Sequence, residues 1–186
     1  MSVKSYLQET LAAYIALFGI SDSTEAFRLF IEAHDNVIAR KNLAGHVTGS
    51  ALVWHKASHT VLRVFHAKQK RWVFSAGGHI DEGELPWQAA TRELHEETGI
   101  IATPVFFDLQ KPMPLIMDAH PIRLSVKKNE PPHWHYDMVY LFAVDQKPHI
   151  EADPSEIAEY KWVDVGDVTV ENSPVDLRTQ MLRYGL

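Results

Sequence analysis

Three glutamates, Glu93, Glu96 and Glu97, stand at spacing i, i+3 and i+4 near the end of the stretch GHIDEGELPWQAATRELHEETGI, residues 78–100. Pro86 suits the first turn of a helix and Gly99 the position just past its end, so residues 86–98 read as helical. At about 100° per residue the three acids then share one side of the last turns. Like charges so placed lose roughly 0.2–0.5 kcal/mol per pair on an exposed helix. The C-terminal end of the helix dipole is itself negative, which adds to the cost. A hard divalent cation reverses both effects, because converging carboxylate oxygens are what Mg²⁺ or Mn²⁺ requires. The expectation is a metal platform; the plainer alternative is a solvated acidic face with an Arg92–Glu96 pair.

The helix needs something to pack on. Trp87, Ala90, Leu94 and, at the margin, Thr91 form its expected sheet-facing side, while Ala89 leaves room above the acids. Strand-like runs precede it at 46–54, 60–66 and 71–75, and the pair Gly77-Gly78 reads as a break after them. Further runs follow at 103–109, 122–126, 134–144 and 158–165, with Pro-rich loops at 111–115 and 129–133. Helices are expected at 4–18, 23–39 and 174–184. Strands on both sides of a central helix imply an α/β domain with a mixed sheet flanked by helices.

Composition narrows the chemistry. The 186 residues suit one generous domain, 46% of them hydrophobic and 23% charged. A net charge of −6 provides no basic excess for neutralising phosphates, so no nucleic-acid partner is expected, and a phosphate-bearing substrate needs a cation as intermediary. The absence of cysteine removes disulfides, thiolate nucleophiles and zinc-thiolate sites. LAAYIALFGI, residues 11–20, is too short to span a bilayer, and Leu7, Leu11, Tyr14, Ile15 and Phe18 fall at helical spacing, so no membrane association is expected. These features lead to a cytoplasmic expectation, with a homodimer left open.

Counting through the stretch gives Gly78, five residues, Glu84, seven residues, then Arg92-Glu93-Leu94-His95-Glu96-Glu97-Thr98-Gly99-Ile100. This resembles the signature of the Nudix hydrolases at every fixed position. With each of the seven single-residue positions matched by chance about one time in fifteen, coincidence is below about 10⁻⁸ per starting position. The resemblance implies a Nudix-type α/β/α sandwich with a mixed β-sheet over residues 44–186, preceded by an N-terminal helical extension at 1–43 packed on the domain. It implies hydrolysis of the diphosphate linkage of a nucleoside diphosphate derivative, with Mg²⁺ or Mn²⁺ and water. Carried over by position, Glu93, Glu96 and Glu97 would be metal ligands, one of them orienting or deprotonating the water. Glu84 would be an outer-sphere or second-metal ligand, the Gly77 carbonyl a further ligand, and Arg92 the residue holding the acids in position. The family commonly has Pro before the paired glycines, where this chain has Ala76. The alternative is a Nudix-fold nucleotide-binding or regulatory module without turnover. The isopentenyl-diphosphate isomerase branch of the fold needs a cysteine and is excluded.

A second constellation lies in HWHYD, residues 133–137. On a strand, His133, His135 and Asp137 share one face, with Trp134, Tyr136, Met138, Tyr140 and Phe142 on the other, taken as the core face. The polar three could line the substrate pocket, bind phosphate through protonated imidazole, or hold a further metal. Asp118 and His120 could join them, and His79 could sit near the acids. His95 is expected to face solvent.

Overall fold

The strand at residues 45–55 is apolar enough on both faces to be a central strand, and the rest of the molecule is arranged around it. The computed structural model describes residues 2–68, 70–74, 76–105, 112–124, 130–171 and 173–186. Strand β1 (Gly45–His55) pairs in parallel with β6 (His133–Val144), from Gly45 opposite Trp134 to His55 opposite Val144. Its other edge is shared by two antiparallel partners. β4 (Ala76–His79) takes Thr48 to Ala51, and β2 (Thr60–His66) takes Trp54 and His55. β2 carries β3 (Arg71–Val73) and β7 (Ile157–Asp164), while β6 carries β5 (Ile116–Ile122), all antiparallel. The result is a seven-stranded mixed sheet.

Helices cover both faces. Val47, Ala51, Val53, Tyr136, Met138, Tyr140 and Phe142 pack against α1 (Val3–Phe18), α2 (Asp22–Ala33) and α3 (Pro86–Thr98) in one continuous core. The alternate residues Leu52, Trp54, Val139 and Leu141 pack against Leu177 and Met181 of α4 (Leu177–Arg183). This is the expected α/β/α arrangement, with α1 and α2 ahead of β1. Phe30 of α2 stacks on Tyr136 at 4.1 Å between ring centroids, so the first helices share the sheet's core. Among the described residues no helix is long and apolar enough to cross a membrane.

Several boundaries differ from the expected ones for identifiable reasons. α2 stops at Ala33 instead of 39, because the chain must turn into β1. Asn36 and Ala39 carbonyls close tight turns, and the Val37 carbonyl accepts from Val47 N–H at 2.7 Å. The strand expected at 122–126 lies at Ile116–Ile122, where its polar residues Asp118 and His120 interrupt the apolar pattern; residues 125 and 126 lie outside the described ones. Of the run 103–109, Pro104 bridges Phe142, and 106–109 lie outside the described residues. The last helix is shorter than 174–184. Trp134, assigned by alternation to the core, is 43% exposed at the start of β6.

Gly77 and Gly78 do not break the sheet: they are the middle of β4. Both are glycine because there is no space for a side chain. A Cβ on Gly77 would stand 2.3 Å from Ser50 Oγ, and one on Gly78 2.4 Å from Glu93 Oε1. Gly49 of β1 is equally constrained, since its Cβ would lie 2.1 Å from the Pro86 carbonyl oxygen. That contact lets α3 lie close against β1, which sets the depth of the acidic residues.

Candidate active site

α3 runs from Pro86 to Thr98, as its sequence predicts. Leu85 N–H donates to Gln88 Oε1 at its start, and Gly99 ends it with φ 72°. The buried side is Ala89, Ala90, Leu94 and Thr98; Trp87 and Thr91 are only half-buried, so the helix is rotated slightly from the expected orientation. His95 is exposed. The last carbonyls do not point into empty space. Asp153 N–H donates to the Glu97 oxygen at 3.0 Å and Glu151 N–H to the Thr98 oxygen at 2.9 Å. A loop thereby caps the end where the acids gather.

Arg92 holds that arrangement together. Its Nη1 donates to Glu93 Oε1 at 2.8 Å and to Glu96 Oε2 at 3.1 Å. Its Nε and Nη2 fork onto the two oxygens of Glu84, both at 3.1 Å, and Nη2 also reaches the His79 carbonyl at 2.9 Å. Planar guanidinium geometry permits this; a lysine ammonium would not match it. Glu84 additionally accepts from Asp81 N–H, so it is tied on three sides. Glu96 stays on the rim, with its side chain 57% exposed, whereas that of Glu93 is 16% exposed.

The electrostatics of the acids are unusual for a surface. Burial raises the Glu93 pKa, even though Arg92 pulls it down. Glu97 is pushed up to about 8, first by burial and then by the charges of Glu93 and Glu156. Lys68, which works against that rise, is itself ion-paired to Glu156. Carboxylates that repel one another around a single guanidinium, with Glu97 lacking a cation of its own among the described residues, form a hard-oxygen donor set, which fits Mg²⁺ or Mn²⁺.

The opposite face of the same strands carries a second polar group. Thr48 and Ser50 of β1 both donate to Asp137 Oδ1 of β6 at 2.8 Å, and burial raises the Asp137 pKa despite those bonds. Asp118 pairs with His120 at 2.8 Å, and that hydrogen bond raises the His120 pKa. The rings of His46, His79, His133 and His135 gather beside them, with His46 centred 4.7 Å from both His79 and His135. Burial pushes His46 down to about 4 and His135 lower still. Arg40 acts electrostatically on both Glu93 and His46, so the two groups occupy the same end of β1.

The structure therefore gathers Glu84, Arg92, Glu93 and Glu96 into one network, with Glu97 beside Glu93. It gathers His133, His135 and Asp137 on the other face of the sheet. Asp137 is engaged by two hydroxyls. The sequence reading missed His46, Thr48 and Ser50, although their polar alternation inside an apolar strand was visible. It also missed Lys68, Asp153 and Glu156, which only tertiary structure brings near Glu97.

The chain is similar to known proteins over much of its length. The NUDIX domain model matches residues 46–182. The chain is 32% identical over 113 residues to a probable DHNTP pyrophosphohydrolase of Lactococcus lactis subsp. cremoris, covering 60% of each chain. It is 34% identical over 95 residues to an RNA pyrophosphohydrolase of Cereibacter sphaeroides, covering 50% of this chain and 58% of that one. The matched segments thus span about three fifths of those relatives. Among solved structures, the E. coli dihydroneopterin triphosphate pyrophosphohydrolase is similar in fold, with TM-score 0.53 and 20% identity over 73% of this chain and 95% of that one. With the signature on α3, the mixed sheet behind it and the family match over most of its length, the chain belongs to the NUDIX domain family.

Proposed function

We propose that this protein is a divalent-metal-dependent pyrophosphohydrolase that cleaves the diphosphate linkage of a nucleoside diphosphate derivative by attack of water on phosphorus. The observation that carries the reading is that Arg92 ties Glu93 and Glu96 to Glu84, with Glu97 beside Glu93 and the pKa values of Glu93 and Glu97 raised. Glu93, Glu96 and Glu97 would hold Mg²⁺ or Mn²⁺, with Glu84 and the Gly77 carbonyl as further candidate ligands. When bound, the ion would neutralise substrate charge, polarise phosphorus and ease deprotonation of water.

The protein's own groups do the rest. Arg92 fixes the carboxylates in a single arrangement, so little reorganisation is needed when substrate arrives. Glu93, held between Arg92 and Gly78, is placed to orient the attacking water. His133, His135 and Asp137 lie on the sheet face opposite α3, with Asp137 engaged by Thr48 and Ser50, and this reading gives them no catalytic step. Residues 1–43 form an extension whose helices brace the sheet.

The names of the relatives bear on substrate class. One is described as acting on DHNTP and another on RNA. A phosphorylated RNA end therefore belongs among the substrates to be tried, and the acidic net charge does not exclude it. The test is a panel of nucleoside triphosphates, nucleotide sugars, dinucleoside polyphosphates, a pterin triphosphate and 5′-triphosphate RNA, with Mg²⁺ or Mn²⁺ and product identification. At least one should be hydrolysed, and Glu97→Gln should lower turnover by at least ~10²-fold. Equal activity in the variant would refute the assignment.

A further inference from the structure

Three imidazoles on β1 and β6 have ring nitrogens with nothing to bond. His46 is fully buried, and neither of its ring nitrogens has a hydrogen-bond partner. His133 is buried with Nε2 unpartnered, and the Nε2 of His135 is likewise buried and unpartnered. Leaving such atoms unbonded is costly, so a fold that keeps four of them together on three neighbouring rings needs something to satisfy them. One donor atom from each ring lies within 4.8 Å of those of the other two.

The local chemistry prepares them as ligands. His133 Nδ1–H donates a hydrogen bond to the Pro131 carbonyl oxygen at 2.8 Å, which leaves the Nε2 lone pair free. A carbonyl that fixes the tautomer in this way is the usual support of a metal-bound histidine. His46 and His135 sit opposite each other in the parallel register, so both project from the same face at the same level. Glu130 adds a carboxylate oxygen 4.0 Å from His133 Nε2. Nitrogen donors favour borderline first-row ions over Mg²⁺, so this set differs in kind from the carboxylates of α3.

The geometry points to a second, nitrogen-donor metal site formed by His46, His133 and His135, which takes a divalent transition ion such as Zn²⁺. Around zinc at about 2.1 Å from each nitrogen, the donors stand about 3.4 Å apart, so binding draws the rings together by at most about 1.4 Å. The ion cross-links the start of β1 to the start of β6 on the sheet face opposite α3. This site does not depend on the hydrolase reading.

Cobalt is the probe. The full-length chain, stripped with chelator and then held in excess Mg²⁺ to occupy the carboxylates, is titrated with Co²⁺ in the visible region. One equivalent should give intense d–d bands, which Zn²⁺ then displaces, and Zn²⁺ should raise the melting temperature by several degrees. His133→Ala and His46→Gln should each lose the bands, while Glu97→Gln keeps them. If a histidine variant fails to fold, long-range ¹H–¹⁵N spectra of the unmutated protein decide, since the imidazole nitrogens of all three residues must shift on adding Zn²⁺. Absence of stoichiometric Co²⁺ in excess Mg²⁺, bands that vanish in Glu97→Gln but survive in His133→Ala, or unshifted imidazoles would overturn the site. Loss of hydrolysis in Glu97→Gln with the cobalt bands intact would separate the two proposals.

Discussion

Glu93 lies directly against Gly78: a methyl group added to the glycine would stand 2.4 Å from Glu93 Oε1 and 2.6 Å from its Cδ. The first glycine of the sequence signature is thus tied to its first helical glutamate by excluded volume, although fifteen positions separate them in the chain. Arg92 prevents the carboxylate from moving aside without losing a 2.8 Å charge-assisted bond. Gly78→Ala should therefore lower turnover about 10²-fold, the scale expected for a catalytic group displaced by about 1 Å, with little change in melting temperature. Steady-state kinetics beside a thermal melt checks this; normal turnover would show that the Glu93 position is immaterial.

Arg92 bonds three carboxylates and one carbonyl at once. Arg92→Lys keeps the charge and loses the fork, so Glu84 and Glu93 are no longer held together. The expected result is about 1–3 kcal/mol of destabilisation in denaturant melts and a fall in kcat exceeding any change in KM. A variant with unchanged kcat would assign Arg92 to stability alone.

Metal-free protein should show a pH signature from Glu97. Its folded pKa, about 8, lies above its ordinary value of 4.5, so between those values the folded state holds a proton that the unfolded chain has lost. The stabilisation from this group is complete below about 4.5 and disappears as pH rises through about 8. Wild-type stability should fall with rising pH across that window relative to Glu97→Gln, and Mg²⁺ should remove the difference by displacing the proton. Parallel wild-type and variant curves in chelator would contradict the burial of Glu97.

Gly49→Ala tests how closely α3 approaches β1. The new Cβ would lie 2.1 Å from the Pro86 carbonyl and 3.2 Å from Ala90 N, both rigid backbone atoms. Overpacking of this kind costs about 1–3 kcal/mol, and it should lower both stability and turnover because the helix carries the acids. Urea denaturation with activity assays measures both; an alanine tolerated without loss would mean that the helix has room to move.

What could be read from the chain followed the strength of local patterning. α3 was legible to the residue because Pro86 and Gly99 bracket it and the acids repeat at helical spacing. β1, β2 and β6 were legible because their apolar content is high. β4 was not, because glycines carry no propensity for strand, and their reason for being there is contact with Ser50 and Glu93. β5 was hidden by Asp118 and His120, polar residues that face other polar residues across the sheet. For the site, Glu93, Glu96 and Glu97 could be named from spacing, whereas Glu84 and the holding role of Arg92 came from the resemblance to the Nudix signature. His46 could not, since one histidine in an apolar strand acquires meaning only when β6 brings His133 and His135 beside it.

The claim on which the rest depends is that the mutually repelling carboxylates near the end of α3 bind a divalent cation. The most direct measurement is a Mn²⁺ titration followed by electron paramagnetic resonance, in the His133→Ala background so that the imidazoles do not contribute. The account predicts saturable binding there, weakened at least ~10-fold when Glu93→Gln or Glu97→Gln is added. Binding that is absent, or indifferent to both glutamines, would contradict it.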